Sequence, residues 1–297
     1  MSVLEEIRAA AGTVAESVGP SVVGLGRGGG WGTGIVLADG AVLTNAHNLR
    51  RDEATITFDD GERARARVAA TDPDGDLAVL AVDTRGRTPV QWDGAGDGVS
   101  LGAPVFAVAN PGGRGLRVTF GLVASTTTSF RGPRGRRLGT VIEHSAPVVR
   151  GSSGSPLVDP EGRLVGLNTI RLDGGLIVAL AATSELRERA ERLARGEAPP
   201  RVKLGVAIAP PRAARRMRAA VGLPELEGLL VRDVEEETPA ARAGLERGDL
   251  IVAAASKPVA RVDDLFEALD SVAPTGSLAL TVVRGTEERG VTVALAG

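Results

Sequence analysis

The chain has 297 residues, 43% of them hydrophobic but only 2% aromatic, and 35 Lys and Arg against 37 Asp and Glu leave a net charge of −2. That length predicts two domains, with cores of Val, Leu, Ile and Ala, while the balanced charge and scarce aromatics argue against nucleic acid or an anionic membrane as the main partner. The absence of cysteine excludes disulfides and thiol chemistry, and two histidines, His47 and His144, are too few for a multi-histidine metal centre, so no metal or other cofactor is expected.

The opening "MSVLEEIRAAAGTVAESVGP" has no basic start and no long apolar run, so it reads as neither a signal peptide nor a membrane span. With Met1 as a natural start the expectation is a cytoplasmic protein; a trimmed chain leaves an extracytoplasmic one open. Ser2 and Glu5 fit a capping box, and Val3, Ile7, Val14 and Val18 recur at helical spacing, so residues 1–19 read as an amphipathic helix stopped by Gly19-Pro20.

From Ser21 to about Ala182 short apolar runs alternate with Gly, Asp and Pro, as in "GIVLADGAVLT", "DLAVLAV", "APVFAVA" and "SPLVDPEGRLVGL". Many short strands at close spacing indicate a mainly β, antiparallel sandwich or barrel. Ser184 is expected to cap the helix "ELRERAERLARG", which Gly196 stops. "EAPPR" reads as a stiff polar linker, which gives domains at 20–195 and 203–297 joined by residues 196–202. The second is a small α+β module with two short helices, one capped by Thr238 ahead of Pro239 and one by Asp263. Where a hairpin turn is expected stands Ala255-Ser256, and since neither residue favours positive φ, a turn of another type is predicted.

Three places in the β-rich part carry chemistry together. "LTNAHNL" puts His47 at a strand exit, "DPDGDLAVL" puts Asp76 just before an apolar run, and "GSSGSPL" frames Ser153 with glycines. Each alone suits a turn or cap equally well. A serine becomes a nucleophile only when an imidazole takes its proton and a carboxylate orients that imidazole, and this set supplies one of each in the order His, Asp, Ser. The hydrolase elbow G-x-S-x-G does not fit, because position 155 is Ser.

The segments "GTGIVLADGAVLTNAHNL", "DPDGDLAVL", "NPGG" and "GSSGSPLVDPEGRLVGLNT" resemble the protease domain of the HtrA/Deg family, and "KLGV", "GLLVRDVEEETPAARAGLERGDLIVAAASKPV" and "DDLFEAL" resemble that family's PDZ domain. The resemblance implies a chymotrypsin-like pair of six-stranded antiparallel barrels followed by a PDZ domain. It makes His47 the general base, Asp76 its orienter, Ser153 the nucleophile, and the amides of Gly151 and Ser153 the oxyanion hole. Lys203, Leu204, Gly205 and Val206 would capture a peptide's C-terminal carboxylate. The implied function is a serine endopeptidase acting on unfolded or exposed polypeptides in protein quality control, regulated by C-terminal peptides at the PDZ domain. The alternative is a protease-like peptide-binding scaffold or holdase. The resemblance leaves a homotrimer open, the N-terminal segment lacking the aromatics expected at the family's trimer contacts.

The chain departs from the family pattern just before Ser153. His144-Ser145 stands where Thr-Asp is usual, and Val149-Arg150 replaces Asn followed by a small residue or Pro. These positions approach the specificity pocket and the oxyanion loop. His144 is expected to be structural, and "SFRGPRGRR", with four arginines, falls where the family keeps a sensing loop.

Overall fold

The computed structural model describes residues 2–26, 31–131, 137–172, 174–199, 204–272 and 276–295. Lys203 and residues 132–136 of the arginine-rich stretch lie outside them. The chain divides into two compact units, Met1–Pro199 and Pro200–Gly297.

The first unit is built on two closed six-stranded barrels. Strands β1 (Val22–Leu25), β2 (Gly32–Ala38), β3 (Ala41–Thr44), β4 (Glu53–Thr57), β5 (Arg63–Asp72) and β6 (Leu77–Ala81) close in the order β1-β2-β3-β6-β5-β4. The second barrel uses β7 (Pro104–Ala109), β8 (Arg117–Arg131), β9 (Arg137–His144), β10 (Pro156–Val158), β11 (Leu164–Arg171) and β12 (Ile177–Ala181), in the order β10-β11-β12-β9-β8-β7. All pairings are antiparallel, as hairpin-linked strands permit. Alternation in β5 turns Arg63 and Arg67 to solvent and Ala66 inward.

Each barrel has its own apolar filling, Leu25, Ile56 and Phe58 in the first and Val105, Ile142 and Leu157 in the second. A third cluster joins residues of both barrels, such as Leu43, Leu77, Phe106 and Leu180, to helices α1 (Val3–Val18) and α2 (Ser184–Ala194). The capping box of Ser2 and Glu5 starts α1, and Val14 and Val18 are its buried face. In α2 the cap is Thr183 and not Ser184: the Thr183 hydroxyl accepts from the Leu186 amide at 3.2 Å, and Ser184 is already the first helical residue. Arg189 of α2 forms an ion pair with Asp72, whose other oxygen accepts from the Gly75 amide at 2.9 Å. That tie braces the 72–76 loop from outside the barrel.

The second unit is one sheet in the order β13 (Val206–Ile208), β14 (Leu229–Val234), β15 (Leu250–Ala254), β17 (Ser277–Arg284) and β18 (Glu287–Ala294), with β16 (Lys257–Pro258) paired to β15. Helices α4 (Pro239–Arg242) and α5 (Val262–Asp270) match the expected pair, but a third, α3 (Pro211–Ala220), joins β13 to β14. Its sequence "PRAARRMRAA" starts with Pro at the first helical position, and Ala214 and Arg218, four residues apart, share its buried face.

Asp263 does not cap α5. Arg261 stands at the cap position, and the Asp264 carboxylate accepts from the amides of Arg261 at 2.7 Å and Ala260 at 2.9 Å, which holds its pKa below the ordinary carboxylate range. The Ala255-Ser256 expectation is also corrected. Both residues have positive φ, 47° and 63°, and join β15 to β16 as a two-residue turn of the I′ kind. Strand twist imposes the turn geometry over the preference of either residue.

Candidate active site

His47 and Asp76 come from the first barrel, and both sit where strands end. β3 stops at Thr44, a single 3₁₀ turn carries Ala46–Asn48, and Asp76 immediately precedes β6. The His47 and Asp76 segments lock by three routes. His47 Nδ1 lies 2.7 Å from Asp76 Oδ2, the His47 amide donates to Oδ1 at 3.1 Å, and the Ala46 amide donates to the Asp76 carbonyl at 3.2 Å. Asn45 Nδ2 adds a bond to the same carbonyl at 3.0 Å.

Asp76 is wholly buried, and its φ of +55° is a left-handed conformation that costs about 1–2 kcal/mol for a residue with a Cβ. The surrounding hydrogen bonds hold it there and turn the carboxylate onto the ring. With Nδ1–H donated to Asp76, the proton-free lone pair of the imidazole is on Nε2. Thr169, on β11 of the second barrel, donates its hydroxyl to Asp76 Oδ2 at 2.7 Å, so the carboxylate is gripped from both barrels.

Ser153 belongs to the loop before β10. The Ser152 amide donates to the Val149 carbonyl at 3.2 Å, closing a turn with Gly151 at its third position and φ +92°, the type II form that requires glycine. A Cβ on Gly151 would stand 2.6 Å from Trp31 Nε1, so close approach and dihedral both demand the bare residue. First-barrel side chains hold the loop's carbonyls: Thr33 Oγ1 donates to Gly151 O at 3.0 Å, and Asn48 Nδ2 to Ser153 O at 2.8 Å. Among the described residues, no acceptor meets the amides of Gly151 and Ser153. Two free N–H groups beside a serine are what an oxyanion site needs.

The Ser153 hydroxyl donates to the Thr169 carbonyl at 3.1 Å, and no hydrogen bond joins it to His47. Ser152 is buried, and its hydroxyl has no partner among the described residues. Beside Ser153 lies a cavity of about 260 Å³ whose walls include Val148, Ile170 and Ile177 with Asn168 and Thr169.

His144 is fully buried. Its Nε2 lies 2.7 Å from Asn168 Oδ1, and Asn168 Nδ2 donates to Ser155 Oγ at 2.9 Å, which fixes the amide's orientation and makes His144 Nε2 the protonated nitrogen. Nδ1 has no partner among the described residues, and burial lowers the His144 pKa against the opposing pull of the Asn168 bond. Asn168 thus connects a buried neutral histidine to the cavity wall and the serine loop.

The sequence reading passed over Trp31, Thr33, Asn48 and Thr169. Asn48 directly follows His47, Thr33 is the second residue of the quoted "GTGIVLADGAVLTNAHNL" and Thr169 ends the quoted "GLNT", so all three lay in segments already singled out. Trp31 is one of only two tryptophans, and rarity was its only mark.

In the second unit, Leu204 O accepts from the Ala240 amide and Gly205 O from the Glu235 amide, each at 2.9 Å. Peptide planarity turns the N–H groups of Gly205 and Val206 away from those partners. Strand β13, which follows, is an edge strand. A Cβ on Gly205, whose φ is +87°, would lie 2.3 Å from Thr238.

A trypsin-like peptidase domain model matches residues 32–167 and a PDZ domain model residues 230–284. A probable periplasmic serine endoprotease, DegP-like, of Brucella suis biovar 1 is 33% identical over 277 residues, 89% of this chain and 52% of that protein. The putative serine protease HhoA of Synechocystis is 31% identical over 276 residues, 89% of this chain and 70% of its own length. The chain therefore spans about half the length of the DegP-like relatives. Among solved structures, the HtrA-type protease AlgW with decapeptide superposes with a TM-score of 0.63 at 23% identity, covering 96% of this chain and 97% of that one. The serine endoprotease from Yersinia pestis gives 0.63 at 23%, covering 96% of each. These two share the fold: paired barrels followed by a smaller α+β unit. The chain belongs to the HtrA/Deg family of trypsin-like serine proteases.

Proposed function

We propose that the protein is a serine endopeptidase that cleaves unfolded or exposed polypeptide through an acyl-enzyme, with Ser153 as nucleophile, His47 as base and Asp76 as orienter. The observation that carries this is the His47–Asp76 pair, bonded at 2.7 Å with the imidazole's free nitrogen turned away from the carboxylate. Ser153 Oγ leaves the Thr169 carbonyl and passes its proton to His47 Nε2 as it attacks the scissile carbonyl. The resulting oxyanion takes the amides of Gly151 and Ser153, and His47 returns the proton to the departing amine. Water then repeats the sequence against the ester.

The 260 Å³ cavity walled by Val148, Ile170 and Ile177 suits an apolar side chain of modest size before the cut. In the second unit, the amides of Gly205 and Val206 would take a peptide's C-terminal carboxylate, with Leu204 and Lys203 completing the loop, and the edge of β13 would pair with the peptide as an added strand. Binding there would regulate cleavage.

Hydrolysis of β-casein, an unfolded protein, tests the reading. Ser153→Ala should lower kcat by about 10⁶-fold if the three residues act as a unit. The hydroxyl's bond to the Thr169 carbonyl favours one second reading, a latent protease that mainly binds peptides. Wild-type protein that binds casein and never cleaves it would support that reading instead.

A further inference from the structure

Trp31 is 38% exposed in a chain with little aromatic content. Its indole lies over two glycine backbones. A Cβ on Gly151 would meet Nε1 at 2.6 Å, and one on Gly112 would meet Cζ3 at 2.7 Å. Its own amide donates to the Asn48 carbonyl at 3.0 Å, which anchors the residue next to His47. On the ring rests the guanidinium of Arg114, 4.9 Å from the centroid, a cation–π contact at an exposed site.

His47 must hand its proton to the departing amine, so the leaving half of a substrate lies on the His47 side of Ser153. Trp31 is tied through its amide to Asn48, the residue after His47, and Arg114 stacks on Trp31, which associates both with that half. On the other side, Arg150 and Arg171 line the apolar cavity that takes the acyl half. Arg171 also donates to the Val148 carbonyl at 2.6 Å, and both side chains are exposed.

Elsewhere in the same unit some arginines are matched with acids, while others, such as Arg50, Arg51 and Arg65, have none among the described residues. Arg87 pairs with Asp59 and Asp60, Arg163 with Asp159, and Arg189 with Asp72. Among the described residues, Arg114, Arg150 and Arg171 have no carboxylate partner. Two of these cations thus line the cavity beside Ser153 and the third stands on Trp31 against Gly151, in a chain whose net charge is −2. A concave, low-dielectric site edged by one sign of charge concentrates the opposite sign.

We propose that the cleft selects acidic segments, cutting after an apolar residue flanked by Asp or Glu. Arg114, held on Trp31, reads a carboxylate on the leaving side, and Arg150 and Arg171 read one on the acyl side. This rests on the serine-peptidase reading above and adds the substrate class to it.

The test is a matched set of internally quenched peptides with Val before the cut and Glu, Gln or Lys on each flank. Expected kcat/KM falls in the order Glu, Gln, Lys, with about a tenfold span at low salt that narrows at high salt. Arg114→Gln should flatten the leaving-side order alone, and Arg150→Gln should reduce the acyl-side order. Arg171 is left intact because it also holds the Val148 carbonyl. Trp31→Ala should weaken the leaving-side preference while the response to the residue before the cut stays put. Equal rates for the Glu and Lys peptides, with Ser153-dependent cleavage of both, would overturn the acidic preference and leave the peptidase reading standing. No Ser153-dependent cleavage of any peptide would overturn both.

Discussion

Ser153 and Asp76 are joined through the two ends of Thr169: its carbonyl accepts the Ser153 hydroxyl at 3.1 Å while its own hydroxyl donates to Asp76 at 2.7 Å. One residue of the second barrel therefore parks the candidate nucleophile and steadies the carboxylate that orients the candidate base. The side-chain role can be removed without touching the backbone role. Thr169→Val should lower kcat on a peptide substrate by about 10- to 100-fold, the loss of one hydrogen bond to a charged group, with KM little changed. Thr169→Ser should stay near wild type. Loss in Thr169→Ser with none in Thr169→Val would mean that the threonine methyl, not the hydroxyl, matters.

His144 gives the first unit a pH dependence with a definite sign. Burial lowers its pKa from the ordinary 6.5, so below about that pH the unfolded chain takes up a proton that the folded chain refuses. Stability is therefore full above pH 6.5 and falls as pH drops through the interval between the unfolded and folded values, by at most about 1.4 kcal/mol per pH unit. His144→Gln can still donate to Asn168 Oδ1 and does not titrate. Both tryptophans, Trp31 and Trp92, lie in this unit, so their emission follows its unfolding in urea. The wild-type midpoint should drop more between pH 7 and pH 5 than that of the variant, and parallel drops would discount His144.

In the second unit the I′ turn at Ala255-Ser256 is built from two residues that resist positive φ. Ala255→Asn with Ser256→Gly should stabilise the unit by about 1 kcal/mol or more, since Asn-Gly accepts that geometry at little cost. Amide hydrogen exchange in β15 and β17 should slow by about fivefold or more. Unchanged exchange would mean that the neighbouring strands open without the turn.

Much of this architecture was legible because local and global signals agreed. Gly-Asp-Pro punctuation between apolar runs marked the barrel strands, and Ser2 with Glu5 marked the first helix. Where they disagreed, the local reading lost. At Ala255-Ser256 the strand twist dictated the turn, and at α2 one residue's shift moved the cap from Ser184 to Thr183. Helix α3 escaped notice because its buried face is only Ala214 and the stem of Arg218, too little apolar signal for a periodicity reading. The positions of His47, Asp76 and Ser153 could be read from their flanking motifs. The hydrogen bonds from Thr33, Asn48 and Thr169 could not, because they link residues as far as 118 positions apart whose meeting depends on both barrels being closed.

The central claim is that Ser153 is a nucleophile activated by His47. Treatment with a fluorophosphonate, followed by proteolysis and mass spectrometry, tests it directly. The expected result is one adduct on the peptide containing "GSSGSPL", with fragment ions placing it on Ser153, absent in Ser153→Ala and strongly diminished in His47→Ala. An adduct on Ser152, or undiminished labelling without His47, would contradict the account, as would casein cleavage by a protein that never takes the label.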